Sequence, residues 1–198
     1  MTELRASEAG DRERRRAVPA GWLAQMLAAL MLTAVLLAPA PATAIPLPDS
    51  VREAVPELRL AGEGRLRWFG LLIYDASLWV RGNAFDPQRP FALNIRYARN
   101  LRGDRIVETS VDEMRRLGWR DEARLARWAR QMGELFPDVR KGERLTGVNL
   151  PGAGVDFYHD GRFAGRIADP DFADAFFSIW LDPRTREPGL RQSLIGGP

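Results

Sequence analysis

The sequence lacks cysteine altogether and contains a single histidine, His159. Without cysteine the chain can form no disulfide, no thiolate nucleophile and no cysteine metal site. One histidine cannot build a multi-histidine metal centre, and a Ser-His-Asp triad could use only His159. The serines lie in no nucleophile-elbow context. We therefore expect no catalytic triad, no metal site and no bound cofactor.

The sequence also lacks a large net charge of either sign. The 29 basic residues are nearly balanced by 26 acidic ones, which leaves a formal net charge of +3. Almost all the positive charge is arginine, since Lys141 is the one lysine in the sequence. A broad basic surface for nucleic acid is not indicated, so we expect no nucleic-acid partner.

The N-terminal segment has the pattern of a secretory signal peptide. Arg14–Arg16 precede an apolar run at Gly21–Ala38, and the small-residue sequence Ala42–Ala44 follows. This order predicts a signal peptide over residues 1–44, cleavage after Ala44, and a periplasmic or otherwise exported protein. The alternative is an uncleaved membrane anchor, because the run is just long enough to span a bilayer. Residues 45–198 would then form a single domain.

Beyond that segment, hydrophobic periodicity predicts strands and helices in separate groups. Two strands separated by a turn at Gly62 and Gly64 are expected first, then a third strand, two helices, three more strands and two helices. The predicted segments are Leu58–Ala61, Arg65–Val80, Phe91–Tyr97, helices begun by Asp104 and Asp121, Glu143–Leu150, Gly154–His159, Arg162–Ile167, a helix begun by Asp169, and Pro188–Ile195. Helices that do not alternate with strands favour an α+β fold with an antiparallel sheet.

Two arginines precede the apolar run WFGLLIY. Arg65 and Arg67 are two residues apart, so on a regular strand they share one face. A guanidinium group facing a cleft could bind a carboxylate, whereas on a solvated strand it would pair with Glu63 or Asp75. Tyr74 falls on the opposite face by the same alternation unless a bulge, for example near Gly70, intervenes.

The order of several segments resembles that of the bacterial chalcone isomerase-like proteins. These segments are GEGRLR before a strand ending YDASLW, then RPFALNIRYARNL, a helical hairpin, GVDFYHDGRFAGRIAD, and FADAFFSIWLDPRT followed by LRQSLIG. The resemblance covers roughly residues 58–195. It implies an open-faced β-sandwich, in which an antiparallel sheet carries helices on one face and a ligand cleft lies between them.

The plant enzymes of this superfamily close chalcones into flavanones, and the resemblance implies which positions would serve that reaction. Arg65 or Arg67 matches the catalytic arginine, but Tyr74 stands where a threonine is expected. Thr109 stands about where an asparagine is expected, and no tyrosine lies near Arg102. The late hydroxyl position falls near Phe172 or Ala173. The match therefore predicts that chalcone isomerase activity is absent.

Other members of the superfamily bind fatty acids without isomerase activity, and use an arginine and a tyrosine to hold the carboxylate. By this resemblance the protein is expected to bind a fatty acid or another amphipathic carboxylate, with Arg65, Arg67, Tyr74 and Thr109 as ligand-binding residues. Two alternatives remain: an intramolecular lyase or isomerase acting on an unsaturated ketone, and a non-catalytic scaffold in transient contact with a membrane. The oligomeric state is left open.

Overall fold

The computed structural model of the protein describes residues 45–196. The predicted signal peptide, residues 1–44, lies outside the described residues, and the boundary at Ala44 stays a prediction. Among residues 45–196, no helix combines the length and the apolar character that crossing a bilayer would require.

Six strands form one antiparallel sheet, and each strand pairs with the next in chain order. Their bounds are β1 Leu58–Trp68, β2 Leu71–Arg81, β3 Phe91–Tyr97, β4 Arg144–Leu150, β5 Gly154–His159 and β6 Arg162–Ile167. The helices among the described residues are α1 Asp49–Ala54, α2 Gly103–Leu117, α3 Glu122–Leu135, α4 Pro170–Leu181 and α5 Pro188–Leu194. The predicted α+β class and antiparallel sheet are confirmed.

Local signals begin and end the helices much as the sequence predicts. The Asp121 carboxylate accepts a hydrogen bond from the Arg124 amide at the start of α3, and Asp169 caps α4 in the same way. Gly118 ends α2 with a φ of 116°, a conformation that favours glycine. Asp104 differs from the prediction, because it lies inside the first turn of α2 and pairs with Arg102 instead of capping the helix.

Helices α2 to α5 pack on one face of the sheet and bury an aromatic core. Phe157 of β5 is fully buried there, with its ring 4.9 Å from that of Phe136 and 5.2 Å from that of Phe176. Phe172 stacks on Phe176 at 5.5 Å. Edge-to-face and offset aromatic packing of this kind adds to the free energy of burial, so this layer contributes most of the apolar stabilisation.

The opposite face of the sheet is covered by the segment that leads into β1. Val51 of α1 packs against Trp79, and the fully buried Asn94 donates to the carbonyl of Pro46 at 3.3 Å. Thr146 on the neighbouring strand donates to the Asn94 side-chain oxygen at 3.0 Å. Buried polar groups on this face are therefore satisfied by the backbone of the lead-in segment.

The predicted turn between the first two strands is wrong. Gly62 and Gly64 lie within β1, which continues to Trp68, and the chain reverses at Phe69 and Gly70. Both turn residues have positive φ, 47° and 77°, as in the two-residue turns whose twist suits a hairpin. The β5–β6 hairpin turns at Asp160-Gly161 with the same signs, and Asp-Gly is a favoured dipeptide for such a turn.

The two glycines instead permit close packing of α5 on β1. A Cβ atom built on Gly62 would lie 2.0 Å from the carbonyl oxygen of Ser193, and one on Gly64 would lie 2.7 Å from a methyl carbon of Leu190. No real Cβ atom tolerates the first of these distances. Glycine at residue 62 is therefore required because the α5 backbone touches the strand.

We expect Gly62→Ala to lower the free energy of unfolding by about 3 kcal/mol, because the new methyl group must displace α5 from β1. Gly133→Ala in α3 is the matched control: its Cβ would meet nothing within 4 Å, so alanine should raise stability by about 0.5–1 kcal/mol. Urea unfolding followed by circular dichroism measures both changes. Wild-type stability of Gly62→Ala would contradict the packing of α5.

Candidate functional site

Arg65 forms an ion pair on the solvated side of the sheet. Its Nε lies 3.0 Å from Oδ1 of Asp75, its cross-strand neighbour in β2, and Arg96 of β3 approaches the other carboxylate oxygen at 2.9 Å. The Arg65 side chain is 60% exposed and that of Asp75 13%. The pairing with Asp75 that the sequence left open is therefore present, and Asp75 neutralises part of the charge that a ligand would meet.

Arg67 lies at the end of β1, beyond an irregularity in the β1–β2 register between Leu66 and Arg67. Its Nη1 donates to the carbonyl of Gly70 at 3.3 Å, and the side chain is exposed. Within residues 45–196 it forms no ion pair. A bulge, which the sequence left open, is thus present in β2 between Leu72 and Tyr74, and the guanidinium of Arg67 lies at the surface.

Tyr74 lies on the other face of the sheet, beneath the helices. Leu66 is its partner in β1, whereas Arg65 is opposite Asp75, so Tyr74 and Arg65 point to opposite sides. The Tyr74 hydroxyl oxygen accepts a hydrogen bond from the indole N–H of Trp180 in α4 at 2.9 Å. The structure therefore does not bring Arg65 and Tyr74 together into one site.

Tyr97 of β3 completes a buried polar group with Tyr74 and Trp180. It is the direct neighbour of Tyr74 across β2 and β3, and the two rings meet at an angle with centroids 6.1 Å apart. Burial raises the pKa of Tyr74 well above its ordinary value; the Trp180 hydrogen bond opposes this change and the negative charge of Glu187 adds to it. Burial also raises the pKa of Tyr97.

Both phenols consequently stay protonated and can donate hydrogen bonds. Trp180 uses the Tyr74 oxygen as an acceptor, but no group within residues 45–196 accepts the proton of either hydroxyl. The indole N–H of Trp180 is already used by Tyr74, so the two phenol O–H groups are the donors that remain, and a carboxylate is an acceptor only. The group formed by Tyr74, Tyr97 and Trp180, which we call the tyrosine site, is therefore suited to an anionic oxygen.

The remaining positions singled out from the sequence do not join the tyrosine site. Thr109 is exposed on α2, whose buried positions include Val107 and Ser110. Phe172 and Ala173, where the resemblance places a hydroxyl, are buried in the aromatic core. Of the positions matched to the isomerases, Arg65 thus forms an ion pair and Thr109 is a surface residue. Phe172 and Ala173 are buried apolar side chains.

A surface depression of about 340 Å³ lies elsewhere, against β5 and β6, and His159 and Arg162 are among its lining residues. The single histidine, His159, is half-buried there, and its Nε2 lies 3.2 Å from Oε2 of Glu143. The hydrogen bond from the Arg140 backbone N–H is the main cause that lowers the pKa of Glu143; partial burial opposes this change, and His159 adds to it. The depression does not lie beneath Arg65, which is at the other side of the sheet.

Glu143, His159 and Asp160 place possible ligand atoms within 4.8 Å of one another. The two carboxylates already accept hydrogen bonds from backbone N–H groups, Glu143 from Arg140 and Asp160 from Arg144. These contacts hold the β4 and β5 strand ends together, so we assign no metal to this group.

Sequence reasoning missed Tyr97 and Trp180. The strand alternation of Phe91, Leu93, Ile95 and Tyr97 does place Tyr97 on the buried face, and a buried tyrosine needs a partner for its hydroxyl. That signal was available. The contact from Trp180 to Tyr74 joins residues 106 apart in the chain and could not be read from local pattern.

The family model described as chalcone isomerase-like matches residues 41–196. Among solved structures, a fatty-acid binding protein of Arabidopsis thaliana has a TM-score of 0.57 with this chain at 9% identity; the match covers 71% of this chain and 88% of that one. At so low an identity the likeness shows the fold alone. No curated protein matches the chain. Because the family model spans most of the sequence, the chain belongs to the chalcone isomerase-like family.

Proposed function

We propose that the protein binds a fatty acid or another amphipathic carboxylate between the sheet and the helices. The observation that carries this proposal is the tyrosine site: two buried, protonated phenols whose donors have no acceptor within residues 45–196, set in an otherwise apolar layer. The name of the Arabidopsis structure, a fatty-acid binding protein, supports the same ligand class.

In this arrangement the carboxylate accepts hydrogen bonds from Tyr74 and Tyr97. Trp180 orients the Tyr74 hydroxyl by donating to its oxygen. The acyl chain would lie along the aromatic layer, and the neighbouring rings of Phe176 and Trp180, 5.3 Å apart, border the tyrosine site. Arg65 and Arg67 are outside this arrangement, since one is paired on the opposite face and the other lies at a surface turn.

We further propose that the protein does not isomerise chalcones. An oxyanion-stabilising arginine must face the substrate in a dry site, and Arg65 is solvent-exposed and paired with Asp75. The position matched to the asparagine is an exposed threonine, Thr109, and the late hydroxyl position falls on an apolar residue, Phe172 or Ala173. Naringenin chalcone incubated with the protein should close to flavanone at the uncatalysed rate, and a protein-dependent rate would contradict this proposal.

We also propose export with cleavage after Ala44, which would make Ile45 the first residue of the processed chain. Its side chain is buried, its N atom lies 3.4 Å from Oε2 of Glu63, and its carbonyl accepts from Ser77 at 3.5 Å. Cleavage after Ala44 would turn that N atom from a neutral amide donor into an ammonium group, so its hydrogen bond to the Glu63 carboxylate would become an ion pair.

A second candidate is a non-catalytic accessory protein whose cleft is filled by its own side chains. The observation in its favour is the close packing of the layer itself, where Phe157 and Phe172 are fully buried against Phe176. The depression of about 340 Å³ lies outside this layer. The two candidates differ in one measurable property, the binding of an added fatty acid.

Replacing the phenols should weaken fatty-acid binding. We expect Tyr74→Phe and Tyr97→Phe each to raise the Kd for hexadecanoate at least about tenfold, because each removes a hydrogen bond to a charged group. Isothermal titration measures the Kd. The matched control is Tyr158→Phe, the third tyrosine of the chain, which packs on the opposite face with Val148 and Trp79.

The methyl ester of the acid should bind weakly to the wild type, since it has lost the anionic oxygens. An unchanged Kd in both phenol variants would contradict the assignment of the tyrosine site. No binding of hexadecanoate to wild type would instead favour the accessory protein.

Processing at the predicted site should leave Ile45 as the first residue. The intact mass of the exported protein should correspond to residues 45–198, and Glu63→Gln should destabilise that form by about 1 kcal/mol, because it removes the ion-pair partner of the new ammonium group. The same change should have a smaller effect in the unprocessed chain, where Ile45 carries a neutral amide. Equal effects in both forms, or an exported chain that retains residues 1–44, would contradict the proposal.

A further inference from the structure

The tip of the β1–β2 hairpin presents large apolar side chains to solvent. Phe69 is 85% exposed, Trp68 65% and Leu71 50%. The rings of Trp68 and Phe69 contact each other at 4.8 Å. Exposed apolar area of this size is unfavourable in water. Three such residues in one turn do not stabilise the fold and are typical of a surface that binds a partner or a membrane.

The backbone of Phe69 makes the tip more unusual. Its φ of 47° lies in the left-handed region, where two-residue turns normally carry asparagine, aspartate or glycine. A bulky aromatic residue therefore occupies a strained position and buries almost none of its surface. Strain without a packing gain is a common mark of a functional segment.

The same edge of the sheet carries a row of cations. Because the six strands are antiparallel in chain order, the β1–β2 turn, the end of β3, the start of β4 and the β5–β6 turn meet at one edge. Hydrogen bonds connect these segments, from Arg99 to the Leu72 carbonyl and from the Lys141 amide to the Asn100 side chain. The cations of this basic edge are Arg67, Arg99, Arg140, Lys141, Arg144 and Arg162.

Within residues 45–196, none of these six cations lies within 4.0 Å of a carboxylate oxygen, whereas most arginines of α2 and α3, such as Arg115 and Arg124, form ion pairs. The carboxylates in the same loops are Asp138, Glu143 and Asp160, and each accepts from a backbone N–H group. The basic edge therefore keeps an excess of positive charge that the fold does not use.

We propose that the basic edge docks on an anionic lipid bilayer, with the β1–β2 tip inserted among the head groups and the cations on lipid phosphates. Charge complementarity and the shape of the tip both favour a membrane surface. The tip is a protruding turn and not a groove, and Trp and Phe beside arginine are the side chains favoured at a membrane interface. Phe163, 59% exposed at the start of β6, gives the far end of the edge a second apolar contact.

This site is separate from the tyrosine site, which lies beneath the helices and does not include the tip residues. A bound membrane would hold the protein where amphipathic carboxylates partition. The docking proposal does not depend on the ligand proposal, since vesicle binding can be measured without any added acid.

Co-sedimentation with vesicles tests the proposal. We expect the purified protein to bind vesicles of phosphatidylcholine with 30% phosphatidylglycerol, to bind pure phosphatidylcholine at least tenfold more weakly, and to dissociate as salt rises. Trp68→Ser with Phe69→Ser should lower binding roughly tenfold or more. The control Leu60→Ser changes an exposed apolar residue of β1 away from the tip and should leave binding unchanged.

Two double variants, each of which removes two positive charges, test the cations separately. Arg140→Gln with Lys141→Gln should weaken binding severalfold, and Arg120→Gln with Arg130→Gln, which removes the same charge from exposed residues of the α2–α3 region, should not. Circular dichroism checks that all variants keep the fold. Absence of vesicle binding, equal binding to neutral vesicles, or wild-type binding by the tip variant would overturn the proposal.

Discussion

The register of β1 against β2 is the constraint on which the rest of the structure depends. Arg65 is opposite Asp75 and Leu66 is opposite Tyr74. Since neighbouring residues of a strand point to opposite faces, this register assigns the arginine to the solvated face and the tyrosine to the helix face. A shift of one residue in β1 would turn Arg65 to the helix face and bury its guanidinium group away from Asp75, while the β2–β3 pairing would keep Tyr74 where it is.

Each region of the sheet consequently has its own chemistry. The helix face is largely aromatic, and the tyrosine site is a polar group within it, where burial keeps the phenols protonated. The opposite face combines a second apolar cluster, which includes Val51 and Trp79, with buried polar side chains, and it is closed by the segment that begins at Ile45. At the basic edge, the apolar side chains of the β1–β2 tip are exposed to solvent, and the cations form no ion pairs within residues 45–196. Ligand binding and membrane docking are therefore proposed at different places.

The sequence predicts most elements of this fold because their signals are local. The cap at Asp121 and the Asp-Gly hairpin turn needed only neighbouring residues. The prediction failed at Gly62, where glycine serves a backbone contact with α5 that lies far along the chain, and at Phe69, which occupies a turn position that its side chain disfavours. The candidate site was predicted in part for the same reason: Tyr74 was identified, but its partner Trp180 comes from α4.

A crystal structure of the protein with hexadecanoate tests the central claim most directly, because the position of the carboxylate distinguishes the two faces of the sheet. The account predicts carboxylate oxygens within hydrogen-bond distance of the Tyr74 and Tyr97 hydroxyls, with the acyl chain beneath α4. A carboxylate bound to Arg65 on the solvated face, in place of Asp75, would contradict it.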